Sequence, residues 1–286
     1  MEWYHAFILG LVEGITEFLP VSSTGHLIIA SSLMGVGEDE RARAVNAFLV
    51  ILQGFTLLAI VGLYWPRMRQ MLLGLVGRDL AGRKLLINVL IAFTPIFILG
   101  PLLHSRIMAW LFKPGPVLAA LALGGVWMIW LDRRRTAQGQ SPAAAGIEID
   151  HMTWKHALAI GLFQCLSLWP GTSRAMMTIA GGVVVGLKPA RAAEFSFLLG
   201  LPAIGGAVVY QLYSDYRRDG HFYLITELGW LPIAVAIVVT VISAALTVKW
   251  LIAFLNSRGL AAFGWYRLAL CIVLGVLLWQ GWVTLR

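Results

Sequence analysis

The chain has 286 residues, 59% of them hydrophobic and only 13% charged, and its mean hydropathy is +0.80. Soluble globular domains run closer to half apolar and a quarter charged, so the composition excludes that class and belongs to membrane proteins. The formal charge of +8 sits in short clusters between apolar runs, namely Arg67/Arg69, Arg78/Arg83/Lys84 and Arg133 to Arg135. Loop charges that orient a membrane protein look like this; a basic nucleic-acid groove does not.

The first element, residues 3–35, is apolar but interrupted by Glu13, Glu17, Pro20, Ser22, Ser23, Thr24 and His26. It reads as two half-length helices joined by a polar, Pro-containing break. Three runs long enough to cross a bilayer follow, at 46–65, 85–103 and 114–131, the start of the third blurred by Lys113-Pro114-Gly115-Pro116. Arg133 to Arg135 then reads as a stop-transfer cluster, and residues 136–147, rich in Ala, Gly, Gln and Pro, as a flexible connector. A second interrupted element, 154–187, carries Gln164, Pro170, Gly171, Thr172, Ser173 and Arg174. Runs at 192–213, 229–254 and 261–284 bring the predicted spans to six. Non-helical backbone at membrane depth is tolerated only where protein or a wet cavity satisfies it, so both interrupted elements are predicted to be re-entrant hairpins lining a cavity. Trp65, Trp110, Trp230 and Trp282 near the ends of apolar runs fit interfacial anchoring. Cys165 and Cys271 lie inside apolar stretches, which argues against a disulfide framework or a thiolate metal site. The N-terminal stretch has no basic n-region or A-x-A site, so no removable signal peptide is expected.

The two interrupted elements also resemble each other. With one gap before the proline, Gly10 matches Gly161, Glu13 matches Gln164, Pro20 matches Pro170, Ser23 matches Ser173 and Thr24 matches Arg174. Each is followed by a run that begins at Phe (Phe48, Phe195) and ends at Tyr (Tyr64, Tyr210). The expected fold is therefore an all-α polytopic membrane protein built as an inverted-topology repeat. Residues 1–135 form the first repeat, 136–153 the connector and 154–286 the second repeat. If both hairpins are re-entrant, the segments 65–84, 132–153, 188–191 and 255–260 share one side and carry eleven Lys and Arg. The other side carries seven: Arg41, Arg43, Arg106, Lys113, Arg217, Arg218 and Arg286. The excess assigns the first side to the cytoplasm and places both termini outside. The two hairpins then dip in from opposite faces, with tips that meet near the midplane.

Glu13 and Glu17 are four residues apart and share a helix face. Carboxylates in a membrane segment mark a function by default; a close pair suits a divalent cation, or an acid and a base with separated roles. The bland alternative is a short interfacial helix in headgroup water. Ser22, Ser23 and Thr24 offer hydroxyls to an anion or simply cap a helix, and His26 serves as a general acid or base or as a bundle hydrogen-bonder. Arg174 in the middle of an apolar hairpin needs an anionic partner: the two Glu on a structural reading, a phosphate on a functional one, because the guanidinium fork donates bidentately. Ser173 and Thr178 add hydroxyls beside it. Acids, a nucleophile and a base on one tip with an anion clamp on the other is the division of labour that phosphoryl transfer requires. Gln53, Asn88, Thr94 and Glu194 fit bundle hydrogen bonding, although Gln53 and Glu194 follow the two hairpins in order and are placed to approach the same cavity.

The stretches "EGITEFLPVSSTGHL" and "PGTSRAMMTIAGG" closely resemble the two signature segments of the undecaprenyl-diphosphatase family, the bacitracin-resistance phosphatases of bacterial membranes. "AAEFSFLLGLP" at 192–202 and the Gln53 stretch are similar to that family as well. The resemblance covers nearly the whole chain. It implies hydrolysis of undecaprenyl diphosphate to the monophosphate, which recycles the lipid carrier for peptidoglycan and cell-wall synthesis and confers bacitracin resistance. It also implies an inner-membrane location with the site open to the extracytoplasmic side. Glu13 and Glu17 would be the family's acidic pair, associated with Mg²⁺ or Ca²⁺. Ser23 would match the proposed nucleophile, His26 the family's histidine and Arg174 the phosphate-binding arginine, in a protein described as a homodimer. One departure is Ala175, where the family commonly has Ser. The competing readings are a polyprenyl-phosphate flippase or other secondary transporter, since inverted repeats and broken helices are transporter hallmarks, and the unrelated acid-phosphatase-like lipid phosphatases. The latter lack support: no Lys…Arg-Pro segment precedes, and the next histidine after Arg174 is His221 in a polar loop.

Overall fold

The computed structural model describes residues 1–36, 42–139, 146–219 and 227–283. Arg41, Arg286, His221 and the middle of the 136–147 connector lie outside the described residues. Among the described residues the chain is helical, with a lone backbone bridge between Ile147 and Leu187. Six helices are long and apolar enough to cross a membrane. They are α3 (Ala42–Leu63), α5 (Leu80–Trp110), α6 (Pro114–Ala137), α9 (Pro189–Asp219), α10 (Trp230–Arg258) and α11 (Ala261–Trp279). The all-α multi-pass expectation holds.

The helix ends differ from the apolar runs for physical reasons. α5 continues to Trp110 through Pro95 and Pro101, and α9 starts at Pro189 and runs through Pro202. A bilayer helix tolerates Pro because its neighbours re-satisfy the freed backbone. An apolar run marks the membrane crossing, whereas a helix extends into polar residues on either side. The Lys113–Pro116 segment is a helix start: Lys113 is the N-cap and Pro114 the first helical residue, where a missing N–H costs nothing. The 65–84 segment, read as a loop, contains α4 (Trp65–Leu75), which packs on α5. At 11 residues, or about 16 Å, α4 is too short to cross.

The interrupted elements form two pairs of short helices: α1 (Trp3–Thr16) with α2 (Ser23–Leu33), and α7 (Trp154–Cys165) with α8 (Arg174–Val184). The longest, α1, has 14 residues, about 21 Å. None crosses a 30 Å core alone. The two pairs match without a gap, at a constant separation of 151 residues. Helix starts Trp3 and Trp154, N-caps Ser22 and Ser173, helix ends Leu33 and Val184, and left-handed Gly35 and Gly186 all obey it. This corrects the gapped alignment: Ser22 pairs with Ser173, and Ser23 with Arg174. The N-cap decides the register, because each of these serines accepts the backbone N–H three residues on (Gly25 and Met176).

Helix association in a bilayer rests on close packing rather than on a hydrophobic driving force, so small residues mark the contacts. α1 packs on α10 through Gly10 and Gly14. A Cβ at Gly14 would lie 2.6 Å from the Thr240 carbonyl oxygen, and Thr240 Oγ1 donates to the Gly10 carbonyl at 3.2 Å. α7 packs on α5 through Gly161, whose Cβ would lie 2.9 Å from Ala92 Cα. α6 crosses α11 at Gly125 and Gly264, each of which would push a Cβ onto the other's carbonyl. α3 and α9 pack together, α3 on α10 and α9 on α5. Exchanging α1 with α7, α3 with α9, α5 with α10 and α6 with α11 returns this set of pairings to itself. α8 is one exception: it packs along α9 with nine buried residues, whereas α2 buries only Gly25 and Leu27. Among the described residues α2 is therefore the less covered of the two.

Four polar segments gather at one end. Arg67 pairs with Asp150 at 3.0 Å, Lys84 Nζ donates to the Asp150 carbonyl at 2.8 Å, and Lys188 pairs with Glu148 at 2.7 Å. The Ala261 N–H donates to Asp132 Oδ2 at 3.1 Å. A cavity lined by Leu131, Arg134, Arg135, Gln138, Gly146 and Gly186 joins the two groups.

Candidate active site

Glu17 is the C-cap of α1, while Ser23 and Arg174 are the first residues of α2 and α8. Ser23 Oγ donates to Glu17 Oε2 at 2.8 Å, and Arg174 Nη2 donates to Glu17 Oε1 at 3.0 Å. One carboxylate therefore ties the two tips together. The pairing also aims two helix N-termini at one place, and N-termini carry exposed N–H groups and partial positive charge suited to an anion. The turns that achieve this are strained. Ser22 (φ 75°) and Ser173 (φ 71°) are the non-glycine residues with positive φ among the described residues, a conformation costing about 1–3 kcal/mol each.

Arg174 is held on three further sides. Its Nη1 donates to the Ser196 carbonyl at 3.0 Å, its guanidinium lies 5.9 Å from the ring centroid of Phe18, and Gly200 leaves room for it. A Cβ at Gly200 would sit 3.0 Å from Nη1. Nε of Arg174 is buried without a hydrogen-bond partner among the described residues, a donor left over for an anion. Thr178 is fully buried, and its hydroxyl meets the Arg174 carbonyl at 2.9 Å and Ser196 Oγ at 2.5 Å. It braces the arginine's helix and does not face an open cavity.

The other residues singled out in the sequence fall as follows. Glu13 is fully buried one turn before Glu17, and neither carboxyl oxygen has a hydrogen-bond partner among the described residues. Gln164, its counterpart in α7, is likewise buried and without a partner there. Ser22 and Ser173 spend their side-chain oxygens on caps. Thr24 is exposed on the first turn of α2. His26 does not contact Ser23 through a hydrogen bond. Its Nδ1 lies 2.8 Å from the Ser22 carbonyl and its Nε2 2.7 Å from Tyr266 Oη, with the two rings stacked at 5.6 Å. Glu194 is buried but faces away from Arg174, pairing with Arg67 at 2.9 Å and Arg191 at 2.7 Å. Ser196, two residues along α9, points to the Arg174 side. Ala175 packs in the main apolar cluster.

Among the described residues no three His, Cys, Asp or Glu gather as a metal cage. The donor set that fits a hard divalent cation is the acidic pair. Both oxygens of Glu17 are engaged by Ser23 and Arg174, and neither oxygen of buried Glu13 has a hydrogen-bond partner among the described residues. An orphaned carboxylate of that kind is a ready oxygen ligand.

Sequence reasoning missed Phe18, Ser196, Gly200 and Tyr266, and also Arg267, which is fully buried in α11 and donates to the Gly171 and Thr172 carbonyls just before Arg174. Arg267 carried a signal, as a charge inside an apolar span. The others carried none, because a serine, a glycine and aromatic residues are ordinary in membrane helices.

The chain matches the model of the family described as bacitracin resistance protein BacA over residues 6–273. It is 42% identical to the undecaprenyl-diphosphatase of Pseudomonas aeruginosa, covering 98% of this chain and 96% of that protein. It is 41% identical to the undecaprenyl-diphosphatase of Acidovorax ebreus, over the same shares of the two chains. With the protein of that name from Sorangium cellulosum the identity is also 41%, over 94% of this chain and 84% of the relative. At such coverage and identity, this chain belongs to the bacitracin resistance protein BacA family.

Proposed function

We propose that the protein is an undecaprenyl-diphosphate phosphatase whose reacting groups are Ser23, Glu17 and Arg174. The observation that carries this reading is the Ser23–Glu17–Arg174 chain of hydrogen bonds. It joins a nucleophile, its base and an anion-binding guanidinium at the meeting of two helix N-termini. In the reaction, Ser23 Oγ attacks the terminal phosphorus while its proton passes to Glu17. The bond from phosphorus to the bridging oxygen breaks, and undecaprenyl phosphate leaves. Water then cleaves the phosphoserine and releases inorganic phosphate. Arg174, with its unpaired Nε and the amide groups at the starts of α2 and α8, binds the phosphoryl oxygens and offsets the charge of the transition state. Ser22, Ser173, Thr24 and Thr178 shape and line the two tips. His26 stands one turn along α2, beside the opening.

Glu13 with Glu17 would hold the divalent cation, Mg²⁺ or Ca²⁺, which supplies charge neutralisation on the diphosphate when bound. Residues 1–135 and 154–286 form two inverted repeats joined by 136–153, with α1–α2 and α7–α8 as re-entrant hairpins. The 151-residue register and the exchange-invariant packing support this. The lipid tail enters sideways beside α2, the less covered of the tip helices. The cationic end bearing Arg67, Lys84, Arg134, Arg135 and Lys188 faces the cytoplasm of a bacterial inner membrane, which puts the opening on the extracytoplasmic side. We propose further, from the family resemblance, that the protein works as a homodimer.

The same packing favours one second reading, a polyprenyl-phosphate transporter. Phosphate release from undecaprenyl diphosphate by purified protein in detergent separates the two, because no gradient exists there. Release supports the phosphatase; intact substrate with folded protein and added Mg²⁺ or Ca²⁺ supports transport.

A further inference from the structure

Two consecutive residues of α11 reach the two tips separately. Arg267 is fully buried, and its hydrogen bonds go to backbone carbonyls. Nη1 donates to Thr172 O at 3.1 Å, Nη2 to Gly171 O at 2.9 Å and to Ala120 O at 3.0 Å, and Nε to Leu121 O at 3.4 Å. Gly124 makes the space: a Cβ there would lie 2.7 Å from Nη2. The carbonyls of Gly171 and Thr172 belong to the non-helical break of the second hairpin, where backbone acceptors at membrane depth need donors. Immediately after them come the strained cap Ser173 and then Arg174. The planar fork serves four acceptors on two segments at once; a lysine ammonium, with one nitrogen, does not.

Tyr266 faces the first hairpin. A carbonyl oxygen only accepts, so the 2.8 Å contact to Ser22 O places the proton of the neutral His26 ring on Nδ1. Nε2 then accepts from the Tyr266 hydroxyl at 2.7 Å, and the stacked rings (interplanar angle 6°) fix the imidazole plane. Successive helix residues point about 100° apart, so one turn of α11 grips α2 on one side and the 171–172 break on the other.

We infer that the Tyr266–Arg267 pair is a positioning device for the phosphatase site, with Arg267 acting through Arg174 and Tyr266 acting through His26. This rests on the proposed role of Arg174 and takes His26, beside the opening, as a group that meets the substrate and not as the base for Ser23. Neither α11 residue touches the reacting atoms; Arg267 holds the break that carries Arg174, and Tyr266 holds the His26 ring.

The test is steady-state phosphate release from undecaprenyl diphosphate by full-length protein in detergent. Arg267→Lys should raise KM by about tenfold to a hundredfold, the scale of a small misplacement of a binding group. Tyr266→Phe should lower kcat by about tenfold with KM and melting temperature unchanged. In an Arg174→Ala background, Arg267→Lys should cost nothing further, because a residue acting through another loses its effect once that partner is gone. Likewise Tyr266→Phe should cost nothing in a His26→Gln background. Independent, multiplying losses in these pairs would overturn the inference, as would wild-type kinetics in both single variants. Should the Arg267 variants not fold, the Tyr266/His26 pair decides on its own. Wild-type activity in Arg174→Ala would instead sink the site assignment beneath it.

Discussion

Ser23 Oγ donates its hydrogen to Glu17 Oε2 across 2.8 Å, although His26, on the same helix, had been the other candidate base for it. The imidazole is turned away, held between the Ser22 carbonyl and Tyr266. The base in reach of the proposed nucleophile is therefore a carboxylate already paired with the arginine proposed to bind phosphate.

Glu17→Gln should lower kcat by at least about a hundredfold, the usual worth of a positioned base, because the amide neither takes the Ser23 proton nor pairs with Arg174. His26→Gln should cost less than Glu17→Gln. Parallel initial-rate measurements check the order; a larger loss at His26 would return the base role to the imidazole.

Arg174→Lys keeps the charge but loses the fork that reaches Glu17 and Ser196 together. The expected result is a KM raised by roughly tenfold or more, with Arg174→Ala worse still. Equal activity in Lys and wild-type proteins would show that only charge matters there.

On the proposed reading, Glu13 contributes through the cation. Chelator should stop phosphate release, and Mg²⁺ or Ca²⁺ should restore it. Glu13→Gln should raise the metal concentration needed for half-maximal activity, because an amide oxygen is a weaker ligand than a carboxylate. A metal titration that does not move would remove Glu13 from the cation site.

The broad architecture was legible in the sequence because membrane helices announce themselves by length and apolar content, and the two breaks by charges that a bilayer does not tolerate idle. Glu13, Glu17 and Arg174 stood out on that ground, and the structure brings Glu17, Ser23 and Arg174 into one hydrogen-bonded group. The gapped register fails because a match of Pro20 with Pro170 shifts the two break segments by one residue. The serines that cap α2 and α8 align differently, and their cap hydrogen bonds and positive φ set the register without a gap. Ser196 and Gly200 could not be found in the sequence, since their part is to offer a carbonyl and an empty space. The order of the chain places Glu194 to approach the same cavity as the hairpins, yet it lines a separate one with Arg67 and Arg191, because two residues along a helix change the face from that of Ser196.

Packing of α1 on α10 should depend on the absence of a side chain at Gly14. Gly14→Ala would force Cβ toward the Thr240 carbonyl at 2.6 Å and displace Ser243, a clash costing about 1–3 kcal/mol. A lowered melting temperature in detergent is expected, with Gly62→Ala unchanged because nothing lies within 4 Å of its Cβ position.

At the cationic end, Glu148 accepts hydrogen bonds from Lys188 at 2.7 Å and Arg191 at 2.6 Å. The Lys188 bond foremost, with Arg191 adding to it, holds this carboxyl below the usual carboxylate range. A depressed folded value means that the clamp stabilises above the unfolded carboxylate pKa, about 4.3, and loses that contribution as pH falls through the folded value. The melting-temperature difference between wild type and Glu148→Gln should thus persist at pH 7 and shrink below about pH 4. High salt should narrow it too, since the group is more than a third exposed. A difference that grows on acidification would contradict the assignment.

The most direct test of the Ser23–Glu17–Arg174 account is to quench the protein in acid during turnover of undecaprenyl diphosphate and map phosphorylated residues by mass spectrometry. The account predicts phosphate on Ser23, absent in Ser23→Ala protein, which should also release no phosphate. Steady turnover with no phosphoserine and an active Ser23→Ala variant would contradict it and assign the attack to water.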